Sequence, residues 1–175
     1  MAAGYGAAYS RVATVIEAIT LTAHGGVTTF RQWPNRLTSA ELADTGAHRR
    51  FHVLLDGMEP PERKAGRYAG SLIDDWMRLL VQVGYYEGGG DKPMPGPAAM
   101  PPTNDRQGID QVAMIDLDIL QQRLEDPANY DQANTGIQQI LWTGTQRLPP
   151  GEGSRKRIYG LGFRVWTEHA RLAAA

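Results

Sequence analysis

The chain has 175 residues, 42% hydrophobic and 21% charged, proportions that suit a single globular domain, 1–175. Its 18 basic and 19 acidic side chains leave a net charge of -1, without the positive excess of a dedicated nucleic-acid binder. It has no cysteine, which excludes a disulfide framework, a thiolate zinc site and a cysteine nucleophile, and fits an intracellular place of synthesis.

The opening MAAGYGAAYSRV has neither a basic n-region nor an apolar h-region, so no signal peptide is expected. No apolar run approaches the roughly 18 residues of a membrane helix. Tyr5, Ala8, Tyr9, Val12, Val15, Ile16, Ile19 and Ala23 recur at helical spacing, predicting an amphipathic helix over Tyr5 to Thr22 that Gly25-Gly26 stops. VTTFRQWPNRL reads as a short extended piece, and Thr38 to Leu42 as one capped turn. His48 to Leu55 alternates as a strand, with Phe51, Val53 and Leu55 on one face. GMEPPERKAGRYAG breaks the pattern. Alternation returns over Ile73 to Tyr86, with Met77, Leu79, Val81, Val83 and Tyr85 on one face, and this strand is expected to pair antiparallel with the His48 strand.

A Gly/Pro-rich stretch follows. Nine of the twenty positions from Glu87 to Arg106 are Gly or Pro, which predicts a flexible loop over 87–106. Ile109, Val112, Ala113, Leu117, Leu120 and Leu124 mark a second amphipathic helix from about Arg106 to Glu125. PANYDQANTG reads as a loop. Ile137 to Arg147 and Arg157 to Glu168 read as two strands joined at LPPGEGSRK, and Tyr159, Leu161, Phe163, Val165 and Thr167 share a face. Strands in consecutive pairs predict an α+β fold. A mostly antiparallel sheet of about four to five strands would carry two helices on one face.

Catalytic signatures are sparse. His48 and His52 share a strand face, but four strand residues span roughly 13 Å, too far for two ligands of one metal. His24 and His169 lie far from either in sequence, and no cluster of other ligands accompanies them. Asp74 and Asp75 point to opposite faces of a strand. Asp116 and Asp118 are about 200° apart on a helix, so both read as surface carboxylates. Ser71 in GSLID lacks the second glycine of a nucleophile elbow, and Gly4-x-Gly6 lacks the third glycine and the preceding strand of a dinucleotide fingerprint. No cofactor or metal site is expected. Arg155, Lys156 and Arg157 form the one basic run; at a hairpin tip they are candidates for facing DNA phosphates, set against an ordinary solvated tip. Trp33, Trp76, Tyr86, Trp142 and Trp166 lie near strand ends or on faces away from the helices. Trp33, Trp76, Tyr86 and Trp142, with Met94 and Met100 of the loop, are the candidate interface residues.

The layout resembles the tail terminator (tail completion or neck) proteins of long-tailed bacteriophages and gene-transfer particles. The resemblance runs from about Tyr5 to His169. It rests on HRRFHVLLDG, RYAGSLIDDWMRLLVQVGYY with its aromatic-rich end, the helix QVAMIDLDILQQRLEDPANY, and the pair GIQQILWTGTQRL and RKRIYGLGFRVWTEHA. It implies a structural virion protein of the neck, made in the host cytoplasm and without catalysis. Such a protein forms a ring, typically hexameric, that caps the tail tube and meets the head connector while DNA passes through the lumen. The partners so implied are other copies of the chain, the tail tube protein, the connector or stopper protein and, transiently, DNA. The Gly/Pro loop would then be a docking arm ordered on assembly. The alternatives are a neighbouring connector or stopper protein, a small enzyme with the Gly/Pro loop as lid, and a small binding module that stays monomeric or dimeric.

Overall fold

The computed structural model describes residues 4–21, 29–37, 47–59, 72–86, 106–149 and 155–170. The capped turn at Thr38, the Gly/Pro loop from Glu87, Met94, Met100, His24 and Ser71 lie outside the described residues. The elements are α1 (Tyr5–Glu17), β1 (Arg31–Gln32), β2 (Arg50–Glu59), β3 (Leu72–Tyr86), α2 (Arg106–Glu125), α3 (Gln132–Thr135), β4 (Ile137–Leu148) and β5 (Lys156–Ala170). The strands form one mixed, mostly antiparallel sheet in the order β1-β2-β3-β5-β4. This is the expected α+β fold.

Each long element follows its apolar period. In α1, Ala8, Val12, Val15 and Ile16 are buried; in α2, so are Ile109, Val112, Ala113, Leu117, Leu120 and Leu124. Both helices pack on the same sheet face, against Phe51, Val53, Met77, Leu79, Val81, Val83, Leu161, Phe163 and Val165. Burying each such side chain stabilises the fold by roughly 1.5–3 kcal/mol before the entropy of ordering is counted.

Several boundaries differ from the sequence reading. β2 runs on past Leu55 to Glu59, through a bulge at Gly57, so the Gly57-Met58-Glu59 expected to break the strand belongs to it. α1 ends at Glu17 rather than Thr22. Beyond it, Ile19 and Leu21 are both buried while Thr20 is exposed and bridges to Thr29, so the β-branched run continues as extended chain with a period of two. β2 starts at Arg50, because Arg49 adopts a left-handed φ of 55° and turns the chain into the strand; His48 therefore precedes the strand and shares no strand face with His52. The stretch read as a loop after α2 holds a tight turn at Pro127–Asn129 and the single-turn α3. Asp126 caps the turn by accepting the Ala128 N–H, and Gly136, at φ 74°, closes α3.

Among the described residues, no helix packs on the far face of the sheet. At one end it is covered by Leu37 and Ala47, which form a small cluster with Ile158, with Trp33 and Leu148 packed against it. A side chain at Gly84 would stand 2.8 Å from the Ala47 carbonyl, so only glycine allows this close crossing. Gln82 is buried on this face because its Oε1 accepts the Leu37 N–H at 3.1 Å.

Candidate functional site

The main buried polar group ties α2 to the sheet. Arg49 and Asp116, 0% and 1% exposed, form a two-pronged ion pair with Nε–Oδ2 2.8 Å and Nη2–Oδ1 2.9 Å. Asp116 is thus an interior partner and not the surface carboxylate expected from its distance to Asp118. The helix wheel carries the missed signal. Asp116 falls between Val112 and Leu120, inside the apolar arc, whereas Asp118 is exposed. Tyr85, fully buried, has its phenol pushed well above its ordinary value, first by burial and then by the Asp116 charge. Its ring meets the His48 and Tyr159 rings edge-on, at 5.9 Å in each case. Tyr159 donates to Asp110 Oδ1 at 2.5 Å, and burial, then this bond, raise its phenol too. The layer binds α2, β3 and β5 together. Arg49 engages both Asp116 oxygens, an arrangement that fastens α2 to the turn before β2.

Two of the three basic candidates sit elsewhere than expected. Lys156 and Arg157 lie within β5, paired with Tyr86 and Tyr85, and are 6% and 7% exposed. β5 starts at Lys156, one residue before the predicted start at Arg157, and both side chains are buried rather than at a solvated tip. Arg155 is exposed.

The open face gathers the aromatic candidates. Trp76 and Trp166 are register partners and stack with centroids 6.0 Å apart. The Arg164 guanidinium lies 4.7 Å from the Trp76 ring centre. Glu59 bridges the two arginines of the same patch, at 2.8 Å from Arg164 and 3.4 Å from Arg78. A shallow open groove of about 310 Å³ continues from there over Gly160 and Gly162, walled by Leu80, Thr143 and Gln146. Trp33 and Tyr86 are half-buried near the other end, where Arg50 lies 5.8 Å from the Trp33 ring centre and the Trp33 carbonyl meets His52 Nδ1 at 2.8 Å. Trp142 departs from its expected place. It pairs with Phe163 on the helix-covered face, but on the outermost strand, where its backbone N–H donates to Glu125 Oε1 at the end of α2 at 2.9 Å and the residue is 41% exposed.

Among the described residues no group of three or more His, Asp or Glu side chains is placed to hold a metal. No helix among them is long and apolar enough to cross a membrane. No protein-family model matches the chain, and no curated protein matches its sequence.

Proposed function

We propose that the chain is a structural subunit of a virus-like tail: a tail terminator that forms a ring, caps the tail tube and joins it to the head connector, with DNA passing through the lumen. The observation that carries this reading is where apolar and aromatic surface remains open. One sheet face is sealed by helices, the other presents the Trp76–Trp166–Arg164 patch, and the two outer long strands bear exposed Leu55, Met58, Leu141 and Trp142. Large apolar side chains exposed on several sides suit a subunit with several neighbours. The balanced charge suits a channel through which DNA slides.

A connector or stopper in the same neck is the alternative within this class. The two part on partner: a terminator halts tube growth, and a connector binds the portal side. The test is tube polymerisation followed by electron microscopy. Tail tube protein from the same particle is assembled with and without this protein. Capped tubes of fixed length, with extra density at one end, are expected. Unaltered tube growth with density on connector rings would favour the stopper, and no binding to either would overturn both.

A second reading draws on the buried group at the end of β3, where His48, Tyr85 and Asp116 come together just before the Gly/Pro stretch. As a lidded enzyme the chain would use this group. Its bidentate closure by Arg49 weighs against that role.

A further inference from the structure

Six large hydrophobic side chains are exposed among the described residues: Leu55, Met58, Met114, Ile115, Leu141 and Trp142. Met114 and Ile115 are on α2. The other four are on β2 and β4, the two outer long strands of the sheet. Among the described residues β1 pairs with β2 only at Arg50 and Phe51, so the rest of that edge is unpaired. Leu55 and Trp142 end one register row that crosses the whole sheet: Leu55 faces Leu79, Leu79 faces Phe163, and Phe163 faces Trp142. The middle of the row is 1% and 2% exposed; its ends are 56% and 41% exposed.

Both ends repeat one backbone device. Leu55-Asp56-Gly57 and Trp142-Thr143-Gly144 each shift register, and each glycine has φ 145°. Such bulges interrupt the ladder and guard an edge against open-ended strand pairing. On β2 the Tyr9 hydroxyl also donates to the Val53 carbonyl at 2.6 Å, taking one of the edge's acceptors. These edges are therefore suited to meet through side chains rather than by extending the sheet. Beside β2 lies a mostly apolar open trough of about 580 Å³, lined by Tyr5, Tyr9, Val53, Leu55, Met58 and Met77. That is within the usual size of a small-molecule pocket, ~300–1,000 Å³, and ample for an indole ring.

We propose that Trp142 of one copy seats in the β2-side trough of the next, against Leu55, Met58 and Tyr9. The occupant is a second copy because one chain carries both halves, at the same level of its sheet. Two different patches meeting head to tail make a heterologous contact, which closes into a ring when the rotation closes and otherwise runs on as a filament. The shared register row sets no offset along the strands, and zero offset favours the ring. This interface deepens the ring reading by naming the surfaces through which copies meet.

The absence of cysteine makes cross-linking a clean test. The double variant Asp56→Cys/Thr143→Cys places cysteines at exposed neighbours and keeps Leu55 and Trp142. Treated with a short bis-maleimide, it is expected to give a ladder from dimer up to the full assembly. Each single-cysteine variant alone should give no ladder, and an equal mixture of the two should stop at dimers. In parallel, Trp142→Ser and Leu55→Glu should each weaken self-association about 10-fold or more, with melting temperatures near wild type. Mixed together, they should pair one to one. Rings that persist in both variants and do not ladder would overturn the interface and leave the ring reading standing. Open chains that do ladder would support the interface and overturn the ring. Dimers from a single-cysteine variant would mean like-to-like pairing and overturn the interface, and a wild-type monomer at all concentrations would overturn both.

Discussion

The two faces of the sheet are made by the same strands yet are held by different means. On the covered face, Leu79, Val81, Phe163 and Val165 are sealed by two helices, and the charges admitted there are matched, Arg49 with Asp116. On the open face the charges are shared loosely: Glu59 serves Arg78 and Arg164, all between a third and a half exposed. A buried pair must be complete, since one member left alone is an uncompensated charge in a poor solvent. A surface network tolerates loss because water replaces the missing partner. The covered face thus carries folding, whereas the open face tolerates the loss of a charge.

The sharpest way to break this contrast is to truncate one charge on each side. Asp116→Ala should destabilise the chain by about 3–5 kcal/mol in urea denaturation, while Glu59→Ala should cost less than about 1 kcal/mol. Replacing both members of the buried pair, Arg49→Met with Asp116→Leu, should recover most of the loss. A double variant as weak as the single would show that the pair is not acting as a closed unit.

Packing gives the next contrast, along the Leu55–Leu79–Phe163–Trp142 row. Phe163→Ala should cost about 3–5 kcal/mol by opening a cavity. Leu55→Ser should change monomer stability by no more than about 0.5 kcal/mol, as an exposed substitution does. Comparable losses at both positions would mean that the row end is core, not interface.

The smallest expected effect is on alkaline stability. Burial, reinforced by Asp116 at Tyr85 and by Asp110 at Tyr159, makes the folded chain hold phenolic protons that the unfolded chain releases near 10.0. Stability should be level in this respect below about pH 10 and decline as pH rises beyond it. Tyr85→Phe should make that decline shallower. A pH profile identical to wild type would remove Tyr85 from the cause.

The fold was legible because its long elements are strongly periodic: α2 runs over the span its apolar spacing marks, and the inward faces of β3 and β5 are the predicted ones. The polar interior was harder to read. Asp116 lies in the apolar arc of α2, but its partner Arg49 comes from a turn 67 residues earlier in the chain, a pairing that only the tertiary fold creates. The edges were hidden for a related reason. Leu55 looks like a core residue of an alternating strand, and Trp142 is an interface candidate only by its aromatic character and its place near a strand end or on a face away from the helices; only the strand order places both where the sheet ends. Lys156 reads as the end of the connecting loop and Arg157 as the first residue of the strand, and three adjacent charges give no sign that both side chains are buried at the first rungs of β5.

The central claim, that this chain is a ring subunit, is tested most directly by native mass. Light scattering on a sizing column, with negative-stain images of the peak, would be recorded for the protein alone and with tail tube protein. The account predicts a closed ring of about six copies, formed alone or once tube protein is added. A monomer or dimer that ignores tube protein would contradict it.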